Sequence, residues 1–473
     1  MSLPRATALA TFASLLALAA LAALAAEAEQ PLYGAALPTY VAKPDASYTW
    51  KPVGRYARKG AMIVGLHLVS QTWRDTVWQH QLYLIRPERI DSAAHGVLIV
   101  GGGRWHESYA AGLDENELWE EIGPFVEIAR RMRAVVAVVG QVPFQPIFDM
   151  TEDRLIAHTL DRYLATHDPE WPLLLPMVKS AIRAMDAAQE AAAREWGIGI
   201  DTFTVLGASK RGWTAWLTAA MDARVTAVVP IVIDAVEMRF HFTHEIEVWG
   251  APSEEIQPYT DLNLHSLLSS EEGRELREIV DPFSYRELLV QPKLIVIATN
   301  DRYFPLDSLN LYWDALVGRK YVLYVPNNGH EIADLAYVIR SAAALNRDAA
   351  DVGPLPTVDW EFKRANGDLA LCMAAEPAPT RVRVWIARAP TRDFRAARWE
   401  PRKIGVSGRE LGAAQVRLPL PASGYAAVFG ELEFGRRSEY SLSTNVAVFG
   451  GPGLPPSTPL PRGTPGTCPP GIE

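Results

Sequence analysis

The stretch Val205–Trp213, VLGASKRGW, decides how the chain should fold, because two kinds of pattern meet within it at Ser209. Phe203–Leu206 before the serine is predicted as a buried strand, and Gly212–Met221 after it as a helix. Gly207 leaves room for the sharp turn that such a junction needs. The serine then lies at a helix N-terminus, where the helix dipole favours developing negative charge. Ser209 is therefore a candidate nucleophile, although a serine in an ordinary loop would look the same in sequence.

The turn departs from the Gly-x-Ser-x-Gly pattern typical of nucleophilic serines on such turns. Its second glycine is Gly212, one position late, and Arg211 stands where that glycine is usually found. We therefore expect the turn to differ slightly in shape. The charged side chains of Lys210 and Arg211 either attract an anionic substrate or are simply solvated.

A nucleophilic serine needs a general base and an acid that orients the base. A strand over Leu294–Thr299 leads into Asp301, and a strand over Tyr321–Val325 leads into a loop that reaches His330. The carboxyl ends of parallel strands meet at one edge of an open sheet, where such folds place their sites. The sequence therefore predicts that Ser209, Asp301 and His330 form a catalytic triad in this chain order.

Other interpretations of these residues stay open. Asp301 could cap the turn that follows it, and His330 could be a surface histidine in a loop. Asp307 could be the acid instead, although it also resembles the N-cap of a following helix. Asp281, which precedes a proline, is expected to be a turn residue.

An acyl transfer also needs hydrogen-bond donors for the oxyanion that forms. We expect the backbone amide of Lys210 to be one donor and the Gly102/Gly103 loop, which follows a predicted strand, to supply the other. A simple tight turn is the alternative for those glycines. Residues 234–280, between two core strands, are predicted to form a cap over the site. The cap side chains expected to shape the pocket, with no role assigned, are Glu237, His241, Phe242, His244, Glu245, Trp249 and Tyr259.

Around these motifs the chain alternates between continuous apolar runs and helical periodicity, the pattern of a doubly wound, mostly parallel sheet. The first two strands, AMIVGLHLVSQTW and VWQHQLYLIRP, should instead form an antiparallel pair. Together with the order serine, acid, histidine, this predicts an α/β-hydrolase fold over residues 30–350, cap included. Further strands are predicted at 95–103, 134–141 and 225–233, and helices at 118–132, 173–196, 308–316 and 332–345.

After residue 354 the helical periodicity ends, and short runs spaced by turns predict a small β-sandwich over residues 355–450. We consider this region a possible binding site for an extracellular partner. Residues 451–473, rich in proline and glycine, are expected to be disordered. Cys372 and Cys468 are the only cysteines, so the fold should depend little on disulfides, and whether the two pair stays open.

Composition and the N-terminus restrict the class of protein. The chain has 473 residues and a net charge of −9 without a basic block, which argues against nucleic-acid binding. Residues 1–26 carry Arg5 and an Ala/Leu-rich run and are predicted to be a signal peptide, with an uncleaved anchor as the alternative. We therefore expect a secreted or periplasmic protein without stable membrane insertion. The scarcity of cysteine and the lack of an HExxH motif argue against a structural zinc site, and no metal or organic cofactor is implied.

Several longer sequence segments resemble those of one known family. GASKRGWTAW, TEDRLIAHTL, WPLLLPMVKSAIRAMD, DPFSYRELL, PKLIVIATNDRYFPLDS and VPNNGHEI together resemble the PhoPQ-activated pathogenicity-related protein family. The resemblance covers Tyr48–Phe449 and implies a secreted or periplasmic protein of the α/β-hydrolase superfamily. It places the family's turn serine on Ser209, its strand-end aspartate on Asp301 and its late histidine on His330. It implies little about the substrate.

The leading hypothesis is a secreted serine hydrolase that cleaves an ester or amide bond in a small-molecule or peptide substrate. One alternative is a peptidase of the prolyl-oligopeptidase kind, although the short segment before the first strands cannot hold the β-propeller typical of that group. The other alternative is a non-catalytic extracellular signalling or binding protein that keeps the hydrolase fold. Three residues of the right type, in the right order and topology, favour the enzyme.

Overall fold

The computed structural model describes residues 33–58, 60–365, 368–408, 410–436, 439–451 and 459–468. The predicted signal peptide, residues 1–26, lies outside these ranges. Within them, nine strands of the central sheet precede the C-terminal region. They are β1 (Thr49–Arg58), β2 (Ala61–Trp73), β3 (Thr76–Pro87), β4 (His95–Val100), β5 (Val136–Val139), β6 (Thr202–Ala208), β7 (Val225–Ile231), β8 (Lys293–Ala298) and β9 (Lys320–Val325).

These strands lie side by side in the order β1-β2-β3-β5-β4-β6-β7-β8-β9. β1, β2 and β3 form antiparallel ladders, and β3 also runs antiparallel to β5. From β5 to β9 all neighbours are parallel. β5 and β8 are buried along their whole length, as expected where helices cover both faces of a parallel sheet. The strands follow their order along the chain except that β5 lies between β3 and β4. This is the strand order of the α/β-hydrolase fold, so the predicted fold class is confirmed.

Helices form the layers around the sheet. In the described ranges the α-helices are α1 (Ala36–Ala42), α2 (Glu115–Met132), α3 (Glu152–Thr166), α4 (Leu174–Trp196), α5 (Lys210–Met221), α6 (Met238–Trp249), α7 (Gln257–Thr260), α8 (Leu264–Ser269), α9 (Arg274–Val280) and α10 (Leu335–Ala349). α4 and α5 pack against each other and the sheet, as do α2 and α10. No helix in this part of the chain is long and apolar enough to cross a membrane.

The predicted helix at 308–316 is wrong. The chain forms two short 3₁₀ turns there, Ser308–Leu311 and Trp313–Ala315. Tyr312, between the turns, is fully buried, and its hydroxyl donates to Asp234 Oδ1 at 2.6 Å. Such long-range contacts override helix propensity, which is a weak influence on the backbone.

The cap lies between β7 and β8 and contains α6 to α9. α3 lies between β5 and β6, was not assigned in the sequence analysis, and packs against α7 and α8. The cap is therefore built from two separate parts of the chain. This packing also brings Glu152 and Asp153, at the start of α3, towards the turn that carries Ser209.

Glu245, on α6, is a buried acid inside the cap. Its side chain accepts a 2.6 Å hydrogen bond from the backbone N–H of Ser253, and burial raises its pKa to about 7. The folded protein therefore binds a proton at Glu245 more tightly than the unfolded chain does, and this group lowers stability as the pH rises from about 4.5 to 7. We expect Glu245→Gln to raise the free energy of unfolding above this range by up to about 3 kcal/mol.

Chemical denaturation above and below this pH range measures the effect, which should be small at the acidic end. Glu247→Gln removes the same charge from the exposed face of the same helix and should change stability little at either pH. An equal effect of Glu245→Gln at both pH values would contradict the protonation argument.

The C-terminal region forms two antiparallel layers. Its strands are β10 (Thr357–Ala365), β11 (Asp368–Glu376), β12 (Arg381–Ala389), β13 (Glu400–Ile404), β14 (Gly412–Leu418), β15 (Tyr425–Phe434), β16 (Tyr440–Ser443) and β17 (Ala447–Gly450). One layer is β10-β11-β14, and the other, β16-β15-β12-β13, continues the central sheet because Ser443 pairs with Val322 of β9. The layers touch at Gly430, where an added Cβ would lie 2.2 Å from Met373 Sδ. The predicted β-sandwich thus shares one layer with the sheet that carries the candidate site.

The C-terminal tail differs from the expected disorder over residues 459–468, which are ordered against the β10-β11-β14 layer. Cys468 is disulfide-bonded to Cys372, and its backbone N–H donates to Glu361 at 3.0 Å. The Thr464 hydroxyl donates to Asp359 at 2.6 Å. The two cysteines, separated by 96 residues, are joined because strand pairing places Cys372 opposite Glu361. Residues 452–458 and 469–473 of the predicted tail lie outside the described residues.

Candidate active site

The predicted sharp turn is present at Ser209. β6 ends at Ala208 and α5 begins at Lys210, so a single residue connects strand and helix. Ser209 has φ 55° and ψ −130°, a conformation that non-glycine residues adopt only when their surroundings enforce it. Its backbone N–H donates to Ile231 O at 2.8 Å, which ties the turn to the neighbouring strand.

The two glycines of the turn are required by close contacts. An added Cβ on Gly207 would lie 2.1 Å from Arg211 O, and one on Gly212 would lie 2.7 Å from a side-chain carbon of Ile233. Gly212 therefore lets α5 pack closely on the chain that follows β7. The late position of this second glycine leaves the expected strand–turn–helix geometry in place, because the contact that requires a glycine is at residue 212 and not at 211.

Ser209, His330 and Asp301 form one chain of hydrogen bonds. Ser209 Oγ lies 2.9 Å from His330 Nε2, and His330 Nδ1 lies 2.9 Å and 3.1 Å from the two carboxylate oxygens of Asp301. A carboxylate can only accept, so the proton of the neutral imidazole belongs on Nδ1 and Nε2 can accept from the serine. The Tyr303 backbone N–H donates to Asp301 Oδ1 at 2.8 Å, and the Tyr303 ring packs 4.1 Å from the imidazole.

The alternative acid, Asp307, is placed elsewhere. Its Oδ1 lies 2.8 Å from His244 Nε2, and both side chains are buried. Asp281 has the expected turn role, because it accepts from the backbone N–H of Phe283 and also from that of Met238 at the start of α6. These two acids therefore stabilise the cap and its neighbourhood.

Two acids at the start of α3 neutralise the cations beside the serine. Lys210 Nζ lies 3.0 Å from both Glu152 Oε2 and Asp153 Oδ2. Arg211 forms a bidentate ion pair with Glu152, in which Nη1 and Nη2 each lie 2.8 Å from one carboxylate oxygen. The two cationic side chains are only 11% and 12% exposed. Both alternatives from the sequence are therefore wrong, since the cations are neither solvated nor free to attract an anionic substrate.

Arg211 also joins two loops of the site. Burial would raise the pKa of Glu152, but the hydrogen bonds and charge of Arg211 bring it down to about 2, so the pair is ionised. Arg211 Nε donates to Val142 O at 2.6 Å. Glu152 was missed as a partner in the sequence analysis because no helix was assigned to this segment. The available signal was the helical spacing of the residues that α3 buries, among them Leu155, Ile156, Leu160 and Tyr163.

The predicted oxyanion donors are only partly brought to the serine. Lys210 is the first residue of α5, so its backbone N–H has no intrahelical acceptor. Gly102 lines the same open groove as Ser209, whereas Gly103 is not among the residues that line it. An added Cβ on Gly102 would lie 2.5 Å from Arg211 Nη2 and would displace the guanidinium from its pair. The geometry thus favours Lys210 and Gly102, rather than Gly103, as the two oxyanion donors.

Two cavities meet at Ser209. A cavity of about 60 Å³ lies under the cap and is lined mainly by apolar side chains, Met238 and Phe304 among them. An open groove of about 450 Å³ is lined by His330 and Ile332 as well as the serine. Ser209 therefore lines both cavities, whereas His330 lines the groove and is not among the residues that line the cavity under the cap.

The cap side chains expected to shape the pocket divide into two groups. His241, Phe242 and Tyr259 line the cavity under the cap. The others are not among its lining residues: Glu237, His244, Glu245 and Trp249. Trp249 instead packs under the guanidinium of Arg395, a residue of the C-terminal region, with 4.2 Å between the guanidinium carbon and the ring centre.

The C-terminal region braces the two loops that carry Asp301 and His330. Asn300 Nδ2 lies within hydrogen-bond distance of three carbonyls in residues 394–397, the shortest being 2.7 Å to Ala397 O. Asn327 makes paired bonds with the backbone of Trp399, at 2.8 Å and 3.0 Å. No pattern in the sequence connects these asparagines to a segment that lies 72 residues after Asn327 and 94 to 97 residues after Asn300. The β region is therefore part of the scaffold of the site.

The chain belongs to the PhoPQ-activated pathogenicity-related protein family, whose sequence profile matches residues 37–395, and the predicted family is confirmed. Among curated proteins it is similar to the autocrine proliferation repressor protein A of Dictyostelium discoideum. The two are 28% identical over 439 residues, which cover 85% of this chain and 86% of that protein.

Solved structures similar to this chain include two esterases. Acetyl xylan esterase 1 from Thermoanaerobacterium sp. JW/SL YS485 is 16% identical with a TM-score of 0.44, covering 66% of this chain and 92% of the esterase. A glucuronoyl esterase from Solibacter usitatus is 12% identical with a TM-score of 0.38, covering 65% of this chain and 91% of the esterase.

Proposed function

We propose that this protein is a serine hydrolase that cleaves a carboxylic ester or amide bond. The observation that carries the proposal is the hydrogen-bonded chain of Ser209, His330 and Asp301, with the serine on a strained turn at a helix N-terminus. A nucleophile, a base and an orienting acid at these distances are the arrangement that acyl transfer through a covalent intermediate needs.

In this mechanism Ser209 Oγ attacks the scissile carbonyl while His330 Nε2 takes the hydroxyl proton. Asp301 holds the imidazole in the required tautomer and stabilises the imidazolium that forms. The backbone amides of Lys210 and Gly102 are the proposed donors to the oxyanion, and the N-terminus of α5 adds a favourable dipole. His330 then returns the proton to the leaving group, and a water molecule repeats the sequence to release the acid.

The two cavities suggest how a substrate is oriented. The leaving group must receive its proton from His330, so it belongs on the side of the open groove, which His330 lines. The acyl group then belongs in the cavity under the cap. A volume of about 60 Å³ is far below that of a drug-sized site, so we propose a short acyl group combined with a larger, less restricted leaving group.

We also propose that the protein is secreted or periplasmic and loses residues 1–26 as a signal peptide. The pattern of a charged residue, an apolar run and small residues supports the cleavage. The disulfide between Cys372 and Cys468 supports an oxidising compartment, because such bonds persist there and are rare in the cytosol.

A fluorophosphonate probe tests the proposed nucleophile directly. We expect intact-mass measurement of the mature protein to show one covalent adduct, located on Ser209 by peptide mapping, and no adduct on Ser209→Ala. Labelling at a different serine, or none at all on a correctly folded protein, would argue against the hydrolase. A panel of esters and peptides would then separate an esterase from the peptidase alternative.

Asn327 provides a test of the brace between the catalytic loops and the C-terminal region. Asn327→Gly keeps its positive φ of 57° accessible but removes both side-chain bonds to Trp399. Because His330 is three residues further along the same loop, we expect kcat on a chromogenic ester to fall by about 10-fold or more.

The matched control for this change is Asn263→Gly in the cap. Asn263 also has a positive φ, 54°, but is exposed and makes no capping hydrogen bond, so the substitution should leave kcat unchanged. Equal kcat values for Asn327→Gly and the unchanged protein would show that the brace does not position His330.

A second candidate function is extracellular signalling without catalysis. The observation that favours it is the similarity to a protein named for autocrine repression of proliferation. Under this proposal the C-terminal β region, or the cap, would bind an extracellular partner. Ser209→Ala separates the two functions, because a signalling activity that survives this substitution does not need the nucleophile.

A further inference from the structure

The open groove beside Ser209 is lined mainly by apolar side chains from two helices. Phe125 and Ile128 belong to α2, and Leu335 and Ile339 belong to α10. The carboxyl ends of β4, β6 and β7 also line the groove. It is therefore an apolar crevice formed by two helices and the edge of the sheet that carries the candidate site.

Part of this apolar lining is accessible from outside the protein. Leu335 is 44% exposed, and Phe125 and Ile332 are only partly buried. Single exposed apolar side chains are common on protein surfaces, but several that line one groove mark a place where a ligand binds. The groove volume of about 450 Å³ lies within the range of small-molecule sites, about 300–1,000 Å³.

The charged groups at the groove do not favour an anion. Arg211 lines the groove, but its guanidinium is paired with Glu152 and donates to Val142 O, so its charge is already taken up. Glu331, another charged residue of the lining, is acidic and exposed. An anionic group placed here would lose hydration beside apolar walls and a carboxylate, which is unfavourable. The lining therefore favours an uncharged hydrocarbon chain.

The groove reaches the groups that carry out the proposed chemistry. Ser209 and His330, 2.9 Å apart, both line it, and so does the proposed oxyanion donor Gly102. The leaving group takes its proton from His330 and so belongs on the side that His330 lines. The cavity under the cap, about 60 Å³, has room only for a short acyl group.

We propose that the open groove is the leaving-group site and that the substrate is a short-chain acyl ester or amide of an apolar alcohol or amine. Ser209 Oγ bonds to the acyl carbon, the bond from that carbon to the alcohol oxygen or amine nitrogen breaks, and the leaving atom takes the proton from His330. Water then releases the short carboxylic acid and restores the serine. This inference rests on the proposed hydrolase function, because only acyl transfer at Ser209 gives the groove a leaving group.

The sharpest test compares octyl acetate with ethyl octanoate. The two esters are isomers that place a chain of equal length on opposite sides of the scissile bond. Acid release in a pH-stat, below the solubility limit of each ester, gives kcat/KM. We expect octyl acetate to be preferred by roughly 100-fold, since each methylene buried in the groove contributes about a fourfold gain and the cavity under the cap cannot hold the same chain. A preference for ethyl octanoate would place the chain on the acyl side and overturn the inference.

A series of acetates measures the apolar character of the groove. From ethyl through butyl and hexyl to octyl acetate, kcat/KM should rise about two- to fourfold per added methylene. The acetate of diethylene glycol monoethyl ether has a chain as long as the octyl chain, with ether oxygens in place of two methylenes. It should be the poorer substrate by about 10-fold or more, because apolar walls do not replace the water that those oxygens lose. Equal kcat/KM values along the series would contradict an apolar leaving-group site.

Leu335→Asp tests whether this groove is the site concerned. The position is exposed, so the fold should tolerate the charge, and the ratio of kcat/KM for octyl acetate to that for ethyl acetate should fall by about 10-fold. Leu262→Asp is the matched control, since Leu262 is 43% exposed and lines neither the groove nor the cavity under the cap. Its ratio should equal that of the unchanged protein. An unchanged ratio in Leu335→Asp would overturn the assignment of the groove.

Fluorophosphonate labelling of every variant keeps the two proposals apart. Labelling at Ser209 together with ester turnover that does not depend on the length of the alcohol means that the hydrolase stands and the leaving-group site is wrong. Absence of both labelling and ester turnover would mean that the hydrolase itself is wrong, and the leaving-group site with it.

Discussion

Replacing Ser209 by alanine is expected to lower kcat on any turned-over ester by about 10⁴- to 10⁶-fold, the range seen when a nucleophile is removed from an intact triad. The reason is that His330 would have no hydroxyl to deprotonate, and no covalent intermediate could form. Initial rates on p-nitrophenyl acetate, measured with protein purified in parallel, give the ratio. Any residual rate would come from the oxyanion donors and from binding alone.

The fold should survive this substitution. The serine hydroxyl adds one hydrogen bond, 2.9 Å to His330, while the strained turn is enforced by the backbone bond to Ile231 and the close contacts at Gly207. We expect the midpoint of thermal unfolding to shift by only a few degrees, corresponding to about 1 kcal/mol. Undiminished turnover by a folded Ser209→Ala protein would refute the serine hydrolase proposal and would favour the signalling alternative.

The second large effect is expected from Asp301→Asn, which should lower kcat by about 10³- to 10⁴-fold. An asparagine at this position can donate its amide N–H to His330 Nδ1, which moves the imidazole proton to Nε2. That tautomer cannot accept the proton of Ser209. The substitution keeps size and burial, so it tests the orientation of the base rather than the integrity of the loop.

Asp307→Asn is the matched control for this prediction. Asp307 is as deeply buried as Asp301 but lies 2.8 Å from His244 instead of His330. Steady-state rates should therefore fall by less than about 10-fold in this variant. If the two substitutions had the reverse effects, the acid of the site would be Asp307, and the distances around His330 would not describe the working enzyme.

Much of the site could be predicted because its parts are encoded locally. Ser209 follows a short apolar strand and precedes a helix, and both patterns fall within a few residues of it. Asp301 and His330 each follow an apolar strand, and parallel strands of one sheet end at the same edge. Topology therefore brings together residues that lie up to 121 positions apart in the chain.

Other parts depend on which segments meet in space, and local patterns do not report them. The ion pairs of Lys210 and Arg211 could not be predicted locally, because their partners, Glu152 and Asp153, lie more than fifty residues earlier in the chain. The helix predicted at 308–316 is absent because buried side chains there form hydrogen bonds with distant residues. At that segment long-range contacts outweigh the weak preferences of the local backbone.

The sequence by itself determined the α/β-hydrolase architecture, the family, the strained serine turn, and the acid and histidine that face it. Only the tertiary structure decided that the cations beside the serine are neutralised, that Cys372 pairs with Cys468, and that the C-terminal region braces the loops of Asp301 and His330. The physical reason is the range of the interactions. Hydrophobic periodicity and turn chemistry act over a few residues, whereas ion pairs, disulfides and cavities depend on the packing of segments far apart in the chain.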